Sequence, residues 1–339
     1  LAGVSVTSQD GRPGAEVSIR VRGGGSITQS NDPLFIVDGF PVSSISDIPA
    51  DQIETIDVLK DASSTAIYGA RGANGVILVT TKGAKTDKLS VTYNGYVQTK
   101  AAAKTLDPLS AQDYVKYQWA YADALSGNGD GVAKYFGLGA AYGNHFADYA
   151  NVDVHDWTDD MLRNAIAHTH NLSISGGSEK TKYYFSLGYL DDQGAYICSG
   201  FKRYNLRSNI TTDLRKWLQV GLNVAASHSI QNYPKQNDTA IGNIVLAARD
   251  IPSFYPVYER DMTTGEYILD ENGNRVYDYG TYRKGSYNGY NFAQSMLYDK
   301  KEYKRDAASI RGYLQITPIE GLSYKMSLNI DYDSKFTHN

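Results

Sequence analysis

The sequence predicts a small α+β domain followed by the strands of an antiparallel transmembrane β-barrel, an all-β wall that is incomplete within the chain. Three observations predict it. The 339 residues include 28 Tyr and 32 Gly against 9 Phe, 9 Pro and 4 Met, a usage that favours strands, turns and aromatic surfaces over packed helices. Beyond Lys88, apolar and polar residues alternate with period two in seven segments. The connections between those segments alternate between short and long.

Charge and cysteine content remove several classes. With 33 Lys+Arg, 37 Asp+Glu and a net charge of −4, there is neither a basic footprint for nucleic acid nor an acidic disordered tail. The single cysteine, Cys198, excludes an intramolecular disulfide framework and any cysteine-based zinc site. The longest apolar runs, such as 244–248, fall far short of the roughly 18 residues that a membrane-spanning helix needs. A transmembrane barrel gives no hydropathy peak, so it stays open. The chain opens at Leu1 with no Met and no charged and apolar leader, which reads as a piece excised from a longer protein.

In the first part, β-branched runs punctuated by glycine give short strands at Val17–Val21, Leu34–Val37, 55–59 and Val76–Thr81. A helix is expected to open after Asp61, whose carboxylate can cap it, and to end at Gly69. The composition changes near 83–87.

In the second part each segment can be tested by parity, because on a barrel wall alternate side chains meet lipid and lumen. Leu89, Val91, Tyr93 and Val97 alternate with Ser90, Thr92, Asn94 and Gln98; Leu172 and Ile174 alternate with Asn171, Ser173 and Ser175. Tyr183, Phe185, Leu187 and Tyr189 stand against Tyr184, Ser186 and Gly188, and Tyr204, Leu206 and Ile210 against Arg203, Asn205, Arg207 and Asn209. Leu218, Val220, Leu222 and Val224 oppose Gln219, Gly221, Asn223 and Ser227, while Ile310, Leu314 and Ile316 oppose Ser309, Arg311 and Gln315. The last segment sets Leu322, Tyr324, Met326, Leu328, Ile330 and Tyr332 against Ser323, Lys325, Ser327, Asn329 and Asp331. Within these segments no apolar row carries a charge.

The connections run long (99–169), short (176–180), medium (191–201), short (212–216), long (229–306) and short (317–321). Short turns on one rim and long loops on the other are the outer-membrane arrangement, with the long loops outside the cell. A soluble β-sandwich also alternates, but has no reason to sort its loops by length. Seven strands cannot close a barrel, since the smallest closed ones need about eight, so more strands are expected after Asn339.

Four ordered blocks, SIRVRG at 18–23, DPLFIVDGFP at 32–41, IETIDVLKDASS at 53–64 and IYGARGANGVILVTTK at 67–82, resemble the plug domain of the SusC/RagA-type TonB-linked outer-membrane proteins. Asp156–Trp157, HNLSISGG at 170–177, YFSLGY at 184–189 and WLQVG at 217–221 continue the resemblance, which is weakest in 101–150 and 231–306. It implies a plugged barrel of about 22 strands, of which roughly fifteen lie outside this chain. The expected organisation is a plug at 1–83 lacking its amino-terminal part, a linker at 84–88, and the first seven wall strands over 89–339 with extracellular loops 99–169 and 229–306. The resemblance further implies import of oligosaccharide or peptide cargo across the outer membrane of a Gram-negative bacterium, with a SusD-like surface lipoprotein as lid and TonB supplying energy. Neither a cofactor nor a metal is implied.

By that resemblance the turns 23–31 and 40–47 project toward the cavity where cargo sits, making Arg22, Gln29, Asn31, Phe40 and Ser43 candidate contacts, since polar groups with an aromatic suit sugar hydroxyls or peptide amides. The alternative is that the glycines serve tight turns and Arg22 pairs with a wall carboxylate. Lys60 and Arg71 flank the capped helix and are candidates for locking plug to wall, or else are solvated surface charges. The stretch 231–306 holds eleven tyrosines, including Tyr255, Tyr258, Tyr277, Tyr279, Tyr282, Tyr287 and Tyr290, suited to cargo or lid; some can instead pack the loop against itself. Loop 99–169 is expected to hold a helix, with a capping box at Ser110 and Asp113 and Val115, Trp119 and Ala122 on one face. Trp217 beside a short turn fits an interfacial aromatic girdle.

Other motifs fail. Asp270–Glu271–Asn272–Gly273–Asn274 begins like a calcium loop, but Arg275 and Thr281 occupy the required glycine and glutamate positions; a hairpin between 267–269 and 275–277 explains it better. The glycines at 23–25 and at 69, 72 and 75 lack the Lys-Ser/Thr of a phosphate loop. His168 and His170 share parity and could bind a metal only with a third ligand. No nucleophile, base and orienting acid are grouped, which disfavours an enzyme. The competing class is a non-transporting surface barrel or adhesin, against which the plug blocks speak.

Overall fold

The computed structural model describes residues 3–8, 11–15, 17–21, 30–42, 44–46, 48–83, 88–101, 109–126, 155–234 and 300–338, with parts of 251–279 and positions 107, 248, 291 and 293–295. The strands form three sheets: a two-stranded ribbon, a four-stranded mixed sheet and a seven-stranded antiparallel wall.

The ribbon pairs β1 (Val4–Ser8) with β2 (Val17–Val21). The mixed sheet has the order β4 (Phe40–Val42), β3 (Leu34–Val37), β6 (Val76–Thr81), β5 (Ile53–Leu59), with β3 and β6 parallel. Val37, Ile77 and Val79 are buried at its centre, with Ile19, Phe35, Val42, Ile48 and Val58 packed around them. The parallel pair is covered on both faces, so its strands read as continuous apolar runs rather than alternating ones. Gly75 has φ of +92°, and a Cβ there would stand 2.8 Å from Cβ of Val21, so glycine is what lets the ribbon lie against this sheet.

Three expectations need correction. β1 and β4 were not anticipated; β4 contains Pro41, which marks an edge strand and interrupts the pattern by which strands are recognised. Position 40 therefore belongs to a strand, and the turn expected at 40–47 is preceded by a tight hairpin at Asp38–Gly39. The expected helix is only α1 (Ala62–Thr65), followed by 3-10 turns over Ala66–Gly72 that kink at Gly69, where φ is +59°. The Asp61 carboxylate makes no capping bond; instead its backbone carbonyl accepts from the Thr65 amide at 3.0 Å and the Thr65 hydroxyl at 3.2 Å.

The wall runs in strict chain order through β7 (Ser90–Lys100), β8 (Ala165–Gly177), β9 (Thr181–Gln193), β10 (Gly200–Arg215), β11 (Leu218–Pro234), β12 (Lys300–Ile319) and β13 (Leu322–His338). These are the seven segments found by parity, each extended beyond the legible alternation. The long connections accordingly narrow to 101–164 and 235–299 and the short ones to 178–180, 216–217 and 320–321. Helix α2 (Ala111–Ser126) lies in the first long connection, and the Ser110 half of its capping box is formed: the Asp113 amide donates to the Ser110 hydroxyl at 3.1 Å, and that hydroxyl donates to the Asp113 carboxylate at 2.8 Å. The side chains of Val115, Trp119 and Ala122 lie outside the described residues.

The two faces differ as parity requires. On one, Leu89, Phe185, Leu187, Leu206, Leu222, Ile310, Met326 and Leu328 form a continuous exposed apolar stripe. A soluble sandwich would bury such a stripe; a stripe this large on a folded protein marks a surface made for an apolar partner. On the other, Tyr184, Ser186, Asn205, Arg207 and Arg311 are buried beneath the mixed sheet.

Candidate plug-to-wall site

The mixed sheet is held on the wall's inner face chiefly through one hairpin. Asp38 and Gly39 connect β3 and β4 as a two-residue turn with φ of +50° and +88°, the left-handed pair that an Asp-Gly dipeptide accommodates. Among the described residues Asp38 is the one non-glycine residue with positive φ. Its carboxylate accepts from the Thr81 amide at 2.9 Å and the Thr81 hydroxyl at 2.7 Å, which fixes it to β6 of its own domain. Two wall residues reach the same oxygen: Nη2 of Arg207 on β10 at 2.5 Å and Nδ2 of Asn223 on β11 at 3.0 Å. Arg207 Nη2 also donates to the Thr81 hydroxyl.

Neighbouring groups extend the contact. Arg311 on β12 donates to the Val37 carbonyl at 3.0 Å and its guanidinium lies 5.5 Å from the Phe40 ring centroid. Arg203 on β10 donates to the Ser46 carbonyl at 2.6 Å. Asn223 and Arg311 are direct cross-strand partners, so the grip comes from three adjacent strands. The Arg207 side chain is 4% exposed and that of Asp38 19%. At such burial, removing one partner leaves an uncompensated charge and costs about 3–5 kcal/mol. Beside the hairpin lies a cavity of about 210 Å³ lined by Val42, Gln52, Arg207, Arg305, Arg311 and Asp331. Among the described residues Nε of Arg207 and of Arg311 are buried without a hydrogen-bond partner, so the contact is polar and hydratable rather than an oily seal.

A second contact sits at the tip of the ribbon. The Pro13 carbonyl accepts from Gln231 at 2.8 Å, the Arg12 guanidinium lies 4.8 Å from the Tyr233 ring centroid, and Tyr233 stacks on Tyr303 at 5.0 Å. A Cβ on Gly14 would clash with the Phe201 ring at 2.4 Å.

The residues singled out from sequence are dispersed. Arg22, Gln29 and Ser43 lie outside the described residues; Asn31 is half-buried just before β3, and Phe40 lies beneath Arg311. Lys60 and Arg71 are exposed, Lys60 bordering a cavity of about 310 Å³ within its own domain. The ion pair at the hairpin has the reverse arrangement of charge, with the carboxylate on the plug-like domain and the cation on the wall. Parity had placed Arg203, Arg207 and Arg311 on the inner row; the missing signal was Asp38, whose Asp-Gly turn could have been read as a hairpin aimed at those cations.

In the second long connection Tyr258 stacks on Tyr277 at 5.1 Å and meets Tyr267 edge-on, while Arg275 lies 4.1 Å from the Tyr267 centroid. These rings pack the loop against itself around the expected hairpin, closed by a Leu269–Arg275 bridge. Asp270 accepts from the amides of Asn272 at 2.9 Å and Asn274 at 2.8 Å, and these bonds hold its carboxyl below the usual range. Tyr279 is partly exposed, and Tyr255, Tyr282, Tyr287 and Tyr290 lie outside the described residues. The two long connections meet at Ser253, whose hydroxyl donates to the Leu109 carbonyl at 2.8 Å and whose carbonyl accepts from the His155 amide at 2.6 Å. His155 and Asp160 lie 2.5 Å apart, and that bond raises the imidazole pKa. His168 and His170 share the outer face, with the Tyr93 hydroxyl 2.6 Å from Nδ1 of His170. Among the described residues no group of three His, Cys, Asp or Glu is placed to hold a metal.

The family profile of the TonB-dependent Receptor Plug Domain matches residues 1–76. TonB-dependent receptor SusC of Bacteroides thetaiotaomicron is 41% identical over 286 residues, covering 80% of this chain and 26% of that protein. TonB-dependent receptor P3 of Formosa agariphila is 34% identical over 281 residues, covering 81% of this chain and 25% of that protein. The RagAB peptide transporter structure superposes with a TM-score of 0.74 at 29% identity, over 99% of this chain and 38% of that one. This chain thus spans about a quarter of the length of the curated relatives it matches. A plug-domain match, a seated hairpin and a wall in strict strand order agree with these likenesses, and the chain belongs to the SusC/RagA-like TonB-dependent receptors.

Proposed function

We propose that this chain is the plug-bearing part of an outer-membrane importer that takes up a large nutrient, an oligosaccharide or a peptide, with energy from TonB and a SusD-like lipoprotein as lid. The observation that carries the reading is the Asp38 hairpin seated on Arg207, Asn223 and Arg311. A domain held inside a wall by a few charge-assisted bonds beside a hydratable cavity is retained firmly at rest yet released by a directed pull. The names of the relatives, TonB-dependent receptors among them, and of the RagAB peptide transporter support the class of activity.

On this reading the plug spans 1–83, joined through 84–88 to the wall. Arg22, Gln29, Asn31 and Ser43 meet cargo; Phe40, lying under Arg311, belongs with the lock. Lys60 and Arg71 supply a further plug anchor on the wall. Of the tyrosines of the second long connection, Tyr255, Tyr279, Tyr282, Tyr287 and Tyr290 face cargo or lid. Cargo displaces the outer plug loops, TonB pulls from the periplasmic side, and the hairpin leaves its arginines.

The test is to recover the full-length protein from outer membranes with a mild affinity tag and identify what accompanies it by mass spectrometry. A stoichiometric lipoprotein with bound oligosaccharide or peptide is expected. A barrel that emerges alone, when expressed under conditions of nutrient supply, overturns the reading in favour of a surface barrel without transport.

A further inference from the structure

The cavity beside the Asp38 hairpin holds more cation than the lock uses. Arg207 and Arg311 both line it, 4% and 7% exposed, close enough for their charges to interact. Of the two, Arg207 alone is in contact with a carboxylate among the described residues, that of Asp38. Arg311 gives one nitrogen to the neutral Val37 carbonyl and lays its face toward Phe40. The other charges on the lining do not neutralise it by contact. Arg305 is closed on Asp333, reaching both carboxylate oxygens at 3.0 Å. Asp331 is exposed, accepts from the Asn329 side chain, and makes no ion pair with Arg311.

The hydrogen-bond inventory has the same sign. Arg207 bonds through Nη2 and Arg311 through Nη1, so Nη1 of the first and Nη2 of the second have no protein partner among the described residues. Buried on the same lining, Gln52 Nε2 and Asn205 Nδ2 are also without a partner, as are the two arginine Nε atoms. All six are donors. Buried donors left unmet are unfavourable, and a buried guanidinium without a counter-ion more so; water supplies acceptor oxygens but no negative charge. A carboxylate supplies both, with two oxygens that suit the edges of two guanidiniums.

Along β12 the lining runs from Arg311 through Ser309 and Ala307 to Arg305, toward the second long connection, and faces Val42, Ser44 and Ile48 of the plug. The cavity therefore rises toward the side on which the reading above places cargo. We propose that it is a subsite for a carboxylate borne by the cargo, the end group of a peptide or a uronic acid of an oligosaccharide, received by Arg311 together with Arg207. That the carboxylate arrives on cargo rests on the import reading; that the cavity takes a carboxylate does not.

The full-length protein in mild detergent is titrated with trifluoroacetate at constant ionic strength and followed by fluorine NMR. Saturable line broadening is expected, reversed by acetate and not by acetamide. Ala225 stands directly opposite Arg207 on the inner row, so Ala225→Leu fills the cavity, and Arg311→Lys keeps the charge but loses the fork; each is expected to weaken binding about tenfold. The urea midpoint for protease attack on the plug, without added carboxylate, shows which variant keeps the plug seated, and that variant decides. No saturable broadening in wild type, equal affinity in the seated variant, or equal displacement by acetamide overturns the site. Short peptides and uronic-acid oligosaccharides are then compared as competitors, each against its neutral amide. Displacement by one acid form well below the acetate concentration needed, and not by its amide, supports the cargo assignment and names the class. Acetate binding with no such gain for either acid overturns that assignment. The import reading fails separately, when the barrel is recovered with neither lipoprotein nor cargo.

Discussion

Asp38 and Arg207 stand 169 positions apart in the chain, yet Oδ2 of one and Nη2 of the other are 2.5 Å apart, joining a turn in the plug to the fourth strand of the wall. Because Thr81 and Asn223 share the same carboxylate, the pair sits in a closed network rather than as an isolated contact. Networks of this kind lose most when one charged member is removed alone.

Asp38→Asn keeps the left-handed turn, which asparagine tolerates, and removes the charge. In the full-length protein it is expected to weaken plug retention by about 3 kcal/mol, read as a lower urea midpoint for protease attack on the plug. Adding Arg207→Gln should restore part of the loss. If the single variant behaves as wild type, the ion pair does not hold the plug.

Gly75→Ala forces a Cβ against Val21 at a backbone φ of +92°. A loss of about 1–3 kcal/mol is expected, seen as early thermal exposure of the plug in a proteolysis series. Val21→Gly, which removes the Cβ together with the Cγ atoms, should relieve only the contact and leave the backbone strain, so the double variant should recover part of the loss and no more.

The His155–Asp160 bond makes one tie between the outer connections pH-dependent. The folded imidazole has a raised pKa, so its stabilising contribution is complete below the unfolded value near 6.5 and is lost as pH rises through the folded one. Amide exchange in 155–162 should therefore speed up, beyond its intrinsic pH dependence, as pH climbs above neutrality. Asp160→Asn should abolish that excess; an excess that persists would point to another group.

Asp270 behaves in the opposite sense. Its carboxyl is depressed by the Asn274 amide and, less, by that of Asn272, so the turn is fully supported above the ordinary carboxylate range and loosens as pH falls below it through the depressed value. Asp270→Asn, which keeps an acceptor, should disturb the loop less than Asp270→Ala. Calcium should alter neither variant, measured by exchange at 267–277 with and without the ion.

Local and period-two features were legible in sequence. The outward row from Leu172 to Leu328 and the Ser110–Asp113 box depend on neighbours a few residues away, and both are found as expected. β4 escaped because Pro41 breaks the pattern that identifies a strand, and α1 was overestimated because Gly69 needs a backbone conformation outside the helix. Asp38 with Arg207 was not legible as a pair. Parity gives the face on which a side chain lies and says nothing of which plug residue meets it; many carboxylates could have answered three inner arginines.

The wall strands pair only with chain neighbours, across short turns or one of the two long connections, whereas the plug-to-wall bonds join residues 126 to 274 positions apart. Contact order thus separates the two events in time: the sheet can grow hairpin by hairpin, but the plug has nothing to grip until β10, β11 and β12 lie side by side. During assembly the amino-terminal domain waits undocked beside an unfinished wall. A cell that makes this protein therefore has to shelter Asp38 and its hairpin from other partners until the fifth and sixth wall strands arrive.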